Sequence, residues 1–487
     1  MFLNRIVFCL MCAAGLTAFA ATSLPGKRSE WDGCERRDFI FDNRQATVVV
    51  PDSAAEGRPW IWRPAFFDAF AEIDREMLRE GFAIAYLNFQ DEYASPAALA
   101  AGDHFYKYMT DTIGLSPKVI MEGLSRGGYY SLRFAEEHPE RVACLILDNP
   151  LVDVYQINRM GKSAVYNSNE GWNNFLKNHG LEAPGPERGD FKDNAAFRLG
   201  RIADAGVPVL AMSGGADSIV PFEKNVAVVR EVYRRRGRAV PFRSIVRPGG
   251  AHHPHGLPKP EAAVAYLKAC ADGSVNDKRL IRVACIGNSV TEGVGTTDPA
   301  TRAYPAVLQR MLGAGYDVRN FGLSCSTVLK KGTDAGRPFA YINSDNCRRA
   351  KEFMPDVVII KLGGNDGKPC NWQYGDEFEA DYQALIDEFK YLPTLPEIFI
   401  CLPVNSRIKD PQRIWTLDPT VVANEIMPRI KHVAHENRIE TIRLDDVYEG
   451  EEATTFSDNI HPTNHGNALI ARRIYNTIAP LYTPVEQ

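Results

Sequence analysis

The stretch from Ile281 to Gly293 constrains the chain more than any other segment. Its first half is an apolar run bounded by Gly287, which is typical of a buried strand. Asn288 and Ser289 then turn the chain, and the residues after them can begin a helix. A serine at the end of a buried strand lies at the sheet edge where ligands of open α/β folds bind. We therefore expect an α/β sheet with Ser289 at its binding edge.

Residues that could activate this serine lie further along the chain. A serine hydroxyl is a weak nucleophile alone, so it needs a base and an oxyanion site. Asp458 and His461 are three residues apart, so one short loop can hold the acid against the imidazole. Gly322 and Asn365 each lie in or beside an apolar, strand-like run. The spacing therefore predicts that all four residues meet Ser289 at one edge of the sheet.

These segments resemble, in order, the sequence blocks of the SGNH, or GDSL-like, hydrolases over roughly residues 279–487. The resemblance implies a three-layer α/β/α domain with a flavodoxin-like sheet. It implies these roles: nucleophile Ser289, acid Asp458, base His461, and oxyanion donors Gly322 and Asn365. Asn288 departs from the family pattern, in which this position is usually Asp. The surrounding phrases are most similar to bacterial sialate O-acetylesterases and related carbohydrate esterases.

The preceding half of the chain alternates between strand-like and helix-like segments, which indicates a parallel sheet with helices on both faces. The predicted strands are 46–50, 60–62, 82–87, 118–122, 143–147, 207–212 and 242–246. The predicted helices are 66–80, 97–113, 129–137 and 223–236. Residues 153–187, rich in Asn, Gly and Trp, are predicted to form an inserted cap or loop. The polar linker 272–278 is the expected boundary between domains at 27–272 and 279–487.

A second serine has the sequence context of a nucleophile elbow. Gly123, Ser125 and Gly127 follow one predicted strand and precede a predicted helix, and the glycines permit a tight turn. Asp217 and His252 follow two later predicted strands and offer an acid and a base. The chain order Ser, Asp, His is that of α/β-hydrolases. The sequence therefore predicts a second serine-hydrolase site in the first domain.

This half resembles the α/β-hydrolase family over most of residues 27–272, which implies a doubly wound sheet. The resemblance implies Ser125 as nucleophile, Asp217 as acid and His252 as base, although the adjacent His253 leaves the base open. The backbone N–H of Arg126 and one from the loop at 63–67 would form the oxyanion hole. A lipase-like His-Gly-Gly motif is missing from that loop. A non-catalytic, glycan-binding domain on the same fold therefore remains an alternative.

The first 20 residues have the pattern of a secretory signal peptide. One early charge, Arg5, precedes an apolar run, and Ala18 and Ala20 form a small-x-small cleavage site. No later run is long enough to span a bilayer. We therefore expect a secreted or periplasmic protein that does not insert into the membrane after signal cleavage.

Composition and histidine spacing exclude other classes of function. The net charge of −5 and the lack of a basic patch give no reason to expect nucleic acid as a partner. The His-His-Pro-His run at 252–255 lacks the spacing of a helical metal site, so we expect no metal. The expected protein is an exported serine esterase without a cofactor, acting on acetyl groups of a glycan such as sialic acid or a plant polysaccharide. The alternative is a general short-chain aryl or lipid esterase.

Overall fold

The computed structural model describes residues 24–159, 168–183, 185–187, 189–237, 242–276, 280–404, 417–458 and 460–482. The predicted signal peptide at 1–20 lies outside these ranges. Within them, the structure contains no helix with both the length and the apolar character needed to cross a membrane. The described residues form sheets of nine, five and two strands.

Strands and helices alternate along most of the chain. The strands are β1 Lys27–Trp31, β2 Cys34–Phe41, β3 Arg44–Val50, β4 Trp60–Arg63, β5 Ala83–Leu87, β6 Val119–Leu124, β7 Val142–Asp148, β8 Val209–Gly214, β9 Phe242–Arg247, β10 Ile281–Gly287, β11 Tyr316–Gly322, β12 Thr333–Asp334, β13 Arg337–Pro338, β14 Val357–Lys361, β15 Glu397–Cys401 and β16 Glu440–Ile442. The α-helices are α1 Glu72–Arg79, α2 Pro96–Lys107, α3 Arg126–Glu137, α4 Ser168–Asn178, α5 Ala195–Asp204, α6 Val226–Arg234, α7 Glu261–Ala271, α8 Ser289–Glu292, α9 Pro299–Arg302, α10 Tyr304–Leu312, α11 Asp345–Glu352, α12 Pro369–Trp372, α13 Phe378–Lys390, α14 Pro419–Val421, α15 Met427–Glu436, α16 Glu452–Thr455 and α17 Asn464–Ile478. Turns of 3-10 or π-helix are Tyr108–Thr112, Pro139–Arg141, Val154–Arg159, Phe222–Lys224, Ser274–Asn276, Tyr341–Asn343, Asn365–Gly367, Gly375–Glu377, Val422–Ile426 and Ala479–Leu481.

The nine-stranded sheet has the order β1-β2-β3-β5-β4-β6-β7-β8-β9. Its strands are parallel from β5 to β9, and helices pack on both faces, as the α/β-hydrolase resemblance implies. The sheet is mixed, because at its other edge β1, β2, β3 and β5 pair antiparallel, which the alternation of strands and helices did not predict. Strand β2 has charged residues on a half-buried surface, so it lacks the apolar run that marks a buried strand.

The predicted helix at 66–80 begins later than expected, because α1 starts at Glu72. Three residues between 66 and 70 have φ between +52° and +66° instead, which no right-handed helix allows. The buried Arg63 donates a hydrogen bond from Nη2 to Ala69 O at 2.8 Å, and Asp68 accepts one from Trp31 at 2.8 Å. These side-chain bonds hold the segment as a loop despite its helical spacing of apolar residues.

The five-stranded sheet is parallel throughout, with the order β11-β10-β14-β15-β16. This is the 2-1-3-4-5 order of flavodoxin-like folds. Ile286 and Ile360 face one helical layer with α13 and α15, whereas Cys285 and Ile359 face another with α10 and α17. The predicted three-layer SGNH-type fold is therefore confirmed.

The boundary between the two sheets lies near the predicted linker. Helix α7 packs on the nine-stranded sheet and ends at Ala271, and the five-stranded sheet begins at Ile281. Residues 277 and 278 of the linker lie outside the described ranges. The predicted cap at 153–187 contains a 3-10 turn and helix α4, and its residues 160–167 lie outside the described ranges as well.

Candidate active sites

Ser125 lies on a sharp turn between β6 and α3, with φ of +50° and ψ of −117°. A non-glycine residue in this region is strained, and such strain is found at functional sites. Gly123 and Gly128 permit the turn, since a Cβ on Gly123 would lie 2.6 Å from the Gly128 Cα. The strand, turn and helix therefore have the geometry of a nucleophile elbow, which exposes the serine hydroxyl at the sheet edge.

The predicted acid and base reach Ser125 from the loops after β8 and β9. His252 Nε2 lies 3.1 Å from Ser125 Oγ, and His252 Nδ1 lies 2.8 Å from Asp217 Oδ2. The other oxygen, Asp217 Oδ1, accepts hydrogen bonds from the N–H groups of Ile219 and Val220, both at 2.8 Å. The Asp217 side chain has 0% exposure. Of the two candidate bases, His252 is the one that joins the serine to the acid.

Asn149 supports this arrangement and was not identified from the sequence. Its buried side chain donates to His252 O at 2.8 Å and accepts from Gly214 N at 2.8 Å, so it joins the base loop to the end of β8. A usable signal was present, because Asn149 directly follows β7 at the same sheet edge. Polar residues at carboxyl ends of parallel strands are candidates for such a site.

The predicted oxyanion loop lies beside the elbow. A Cβ on Gly127 would lie 3.2 Å from Ala65 Cβ, so the loop after β4 packs directly against the start of α3. Arg63 fixes the start of this loop through a fully buried ion pair with Asp74, at 2.9 Å. Burial alone would lower the pKa of Arg63, but Asp74 and Glu122 outweigh it and raise the pKa.

Ser289 is the first residue of the short helix α8, directly after β10. Asn288 caps this helix, since its side chain accepts a hydrogen bond from Val290 N at 3.2 Å. Gly287 is required at the strand end, because a Cβ there would lie 2.1 Å from Thr291 Oγ1. The asparagine that departs from the family pattern therefore still performs a capping role that Asp would perform.

His461 and Asp458 meet Ser289 from the loop before α17. His461 Nε2 lies 3.0 Å from Ser289 Oγ, and His461 Nδ1 lies 2.7 Å from Asp458 Oδ2. Asp458 Oδ1 accepts the N–H groups of His461 and Ile460 at 2.7 and 3.1 Å. Partial burial opposes ionisation of Asp458, but the hydrogen bonds from His461 and Ile460 outweigh it and lower its pKa. The Asp458 side chain is 52% exposed.

The two predicted oxyanion donors differ in availability. Asn365 Nδ2 donates one hydrogen bond to Ser326 O at 3.0 Å, and an amide nitrogen carries a second hydrogen. Gly322 N–H instead donates to Asn320 Oδ1 at 2.9 Å, so it is already occupied. Cys325 has φ of +64°, and within the described residues its N–H has no acceptor. The sequence carried no signal for this cysteine, because its backbone conformation depends on the folded loop.

Two ionisable residues near the Ser289 site, Asp366 and Lys361, are buried, and burial shifts the pKa of each. Asp366 accepts backbone hydrogen bonds from Val328 and Leu329 at 2.8 to 3.2 Å, so it acts as a structural acceptor. Burial, which outweighs these bonds, raises its pKa to about 6. Lys361 is 3% exposed and lines a cavity with Ser289, and its burial lowers its pKa to about 8.

Histidines lie close together at both sites, and the ring nitrogens of His252 and His461 contact catalytic candidates. The ligand atoms of His252, His253 and His255 lie within 4.8 Å of one another. A metal bound by His252 would have to displace Ser125 or Asp217, because both ring nitrogens are engaged. His465 contacts Glu451 and lies within α17, whereas His461 faces Ser289.

Comparison with known proteins separates the two domains. Residues 285–469 match the GDSL-like Lipase/Acylhydrolase family, and residues 107–272 match the Prolyl oligopeptidase family. The chain therefore combines a prolyl oligopeptidase-type α/β-hydrolase domain with a GDSL-like domain.

Individual relatives cover parts of the chain. An acetylxylan esterase of Xylanibacter ruminicola is 37% identical over 211 residues, which are 40% of this chain and 42% of that protein. A carbohydrate acetylesterase from Sinorhizobium meliloti is 21% identical, covering 42% of this chain and 100% of that one, with a TM-score of 0.35. The acylaminoacyl peptidase of Pyrococcus horikoshii is 15% identical, covering 45% and 38%, with a TM-score of 0.34.

Proposed function

We propose that this chain is an esterase that removes O-acetyl or other short acyl groups from a glycan, with Ser289 as its nucleophile. The observation that carries the proposal is the continuous chain of contacts from Ser289 Oγ through His461 to Asp458, at 3.0 and 2.7 Å. Asn365 lines the same cavity as Ser289. A nucleophile, a base with an orienting acid, and an amide donor together suit acyl transfer.

In the proposed mechanism, His461 Nε2 takes the proton of Ser289 as Oγ attacks the ester carbonyl carbon. Asp458 holds the ring in the tautomer that leaves Nε2 free to accept, and it stabilises the imidazolium that forms. The imidazolium then returns the proton to the sugar hydroxyl that leaves. Water, deprotonated by His461, releases the acyl group from Ser289 in the second half of the cycle.

We assign the developing oxyanion to the second Asn365 Nδ2 hydrogen and to the Ser289 N–H. Ser289 begins a helix, where the first N–H groups have no intrahelical acceptor. The Gly322 N–H, which the resemblance assigns as a donor, could serve only after releasing Asn320. Donors already oriented toward the oxyanion stabilise the transition state without reorganisation.

For the substrate, we propose an acetylated plant polysaccharide of the xylan type, with O-acetylated sialic acid as the alternative. The support is the acetylxylan esterase among the relatives, and this chain spans only 42% of that protein. A general aryl or short-chain lipid esterase is the competing function. The sequence of residues 1–20 supports export, which fractionation of expressing cells would test.

We propose that the first domain carries a second acyl-transfer site, with Ser125 as nucleophile, Asp217 as acid and His252 as base. The contacts of 3.1 and 2.8 Å that join these three residues favour it. Arg126 begins helix α3, so its N–H is free of an intrahelical acceptor and can receive an oxyanion. A glycan-binding domain without turnover is the alternative for this half.

The test compares wild type, Ser125→Ala, Ser289→Ala and the double variant. Acetate release is measured from acetylated xylan, from O-acetylated sialic acid and from 4-nitrophenyl acetate. Loss of a nucleophile is expected to lower turnover at its own site by about 10⁴-fold or more. Wild-type rates for Ser289→Ala on every ester would contradict the proposal. If Ser125→Ala matched wild type throughout, the binding-domain alternative would stand.

A further inference from the structure

Two cations of the second domain contact the strand ends that lead to Asp217 and His252. Arg438 donates from Nη2 to Gly215 O at 2.8 Å, two residues before Asp217. Lys390 donates from Nζ to Val246 O at 3.1 Å, in strand β9, which precedes the His252 loop. The acid loop and the strand that leads to the base loop are thus each joined to the second domain.

Arg438 is held in place from several directions. It forms an ion pair with Glu223 at 3.0 Å and lies over the Phe222 ring, just after the acid loop. It also donates to His435 O of its own domain at 2.7 Å. Only 14% of the side chain is exposed, so water screens these contacts little. A single guanidinium therefore joins both ends of the acid loop to the end of helix α15.

Gly215 shows how closely the two domains approach at this loop. A Cβ on Gly215 would lie 2.8 Å from Glu436 O, a distance that real Cβ atoms essentially never show. The same residue donates its N–H to Arg247 O at 2.9 Å, and Ala216 N–H donates to Gly250 O at 2.8 Å. The acid loop is therefore enclosed between the base loop of its own domain and helix α15 of the other.

The interface between the two domains lies at the opposite edge of the five-stranded sheet from the Ser289 site. Its contacts with the first domain lie at the amino ends of the parallel strands: Asp356 precedes β14, Glu397 begins β15 and Glu440 begins β16. Ser289 and Asn365 follow the carboxyl ends of β10 and β14, at the other edge of that sheet. The interface thus adjoins the first site and lies away from the second.

From this asymmetry we infer that the second domain is a structural part of the first active site, with Arg438 as a positioning residue for Asp217. None of these contacts between the described parts of the two domains reaches the Ser289 site, so we expect that site to be independent of the first domain. The inference rests on the proposed function of the first site. A shift of the acid loop would move Asp217 away from His252, and small displacements of such a group are costly to catalysis.

The test measures both serines in the same full-length molecule. A fluorophosphonate probe forms a bond from serine Oγ to phosphorus as fluoride leaves, and peptide mass spectrometry gives the labelling rate at Ser125 and at Ser289. The variants are Arg438→Ala, Arg438→Lys and Gly215→Ala. The matched control is Arg443→Ala, because Arg443 is exposed and pairs with Asp445 and Asp446 of its own domain.

We expect Arg438→Ala and Gly215→Ala to slow Ser125 labelling by at least about tenfold, as for a misplaced catalytic group. Ser289 labelling and the control should stay at wild-type rates, and Arg438→Lys should recover part of the loss. A merely structural role would lower both labelling rates together, so the ratio of the Ser125 rate to the Ser289 rate is the readout that identifies positioning.

Two results would overturn the inference. One is Ser125 labelling at the wild-type rate in both Arg438→Ala and Gly215→Ala. The other is an equal loss at both serines, which would indicate general destabilisation. A wild-type protein whose Ser125 is never labelled would instead contradict the proposed second site itself. Because the two substitutions act from opposite sides of the contact, poor folding of one leaves the other as the test.

Discussion

The two serine sites have nearly the same contact distances in opposite surroundings. The serine-to-histidine distances are 3.1 and 3.0 Å, and the histidine-to-acid distances are 2.8 and 2.7 Å. The Asp217 side chain is completely buried, whereas the Asp458 side chain is 52% exposed. The contact distances therefore do not distinguish the two sites, whereas the solvent exposure of the acid does.

The difference has a structural origin. Asp458 and His461 belong to one short loop, so the acid is held by local bonds and needs no other segment of the chain. Asp217 and His252 come from separate loops, which Asn149 and Arg438 hold from two sides. A local pair can remain open to a bulky polymer, whereas a pair assembled from distant segments is stabilised by burial.

The largest expected effect distinguishes the two acids. Asp217→Asn should lower turnover at the Ser125 site by roughly 10⁴-fold, the loss known for a buried triad acid. Asp458→Asn should lower turnover at the Ser289 site by only about 10²-fold, because water screens the exposed carboxylate and can replace part of its effect. Site-specific labelling with the fluorophosphonate probe measures both losses.

For these acid variants, Asp445→Asn is a suitable control, since this acid lies outside both sites and pairs with Arg443. Thermal unfolding should show that each variant is folded. Equal losses at the two sites would contradict the role given to burial.

A smaller effect is expected from the oxyanion donors. Asn365→Ala should slow the Ser289 site by about 10² to 10³-fold, the usual cost of one lost donor. At the Ser125 site the proposed donors are backbone N–H groups, so no side-chain substitution removes them. Unchanged Ser125 labelling is the internal control, and a wild-type rate at Ser289 would show that Asn365 is not a donor.

The sequence predicted the parts of the sites that depend on short-range patterns. Ser125 and Ser289 follow apolar strands and precede helices, and the structure has both at these positions. Asp458 and His461 are close in the chain, so their contact followed from spacing. The catalytic roles of these residues remain predictions until the variants are assayed.

Other features depend on side-chain contacts that form only in the folded chain, which one sequence does not reveal. The loop after β4 has helical spacing, yet the bond from Arg63 to Ala69 holds it open. The motif predicted Gly322 as a free donor, but the side chain of Asn320 occupies its N–H. Strand β2 has no apolar run that would mark it in the sequence. Its residues form a strand through pairing with β1 and β3.

The smallest expected effect concerns a buried charge beside the second site. Arg63 is paired with Asp74 at 2.9 Å, and Asp217 with His252 at 2.8 Å. Lys361 is equally buried beside the second site, but the ionisable group that acts on it is the Cys401 thiol. Burial raises the pKa of Cys401 to about 12, so this thiol is neutral at pH 7 and balances no charge.

Burial lowers the pKa of Lys361 from 10.5 to about 8, so ionised Lys361 destabilises the folded state. Below pH 8 the lysine is charged in both states, and the full cost, roughly 3 kcal/mol, is present. Between pH 8 and 10.5 the unfolded chain binds more protons, so stability rises with pH and the cost disappears.

Lys361→Met keeps a long, unbranched side chain and removes the charge. It should therefore raise the free energy of unfolding at pH 7 by up to about 3 kcal/mol. The gain should shrink steadily toward pH 10.5. Urea denaturation of wild type and variant at pH 7 and pH 9.5 measures this gain, with Lys431→Met at an exposed position of α15 as the control. An equal gain at both pH values would mean that packing, rather than the uncompensated charge, causes the gain in unfolding free energy. Lys361 would then not differ in charge compensation from the paired charges of the first site.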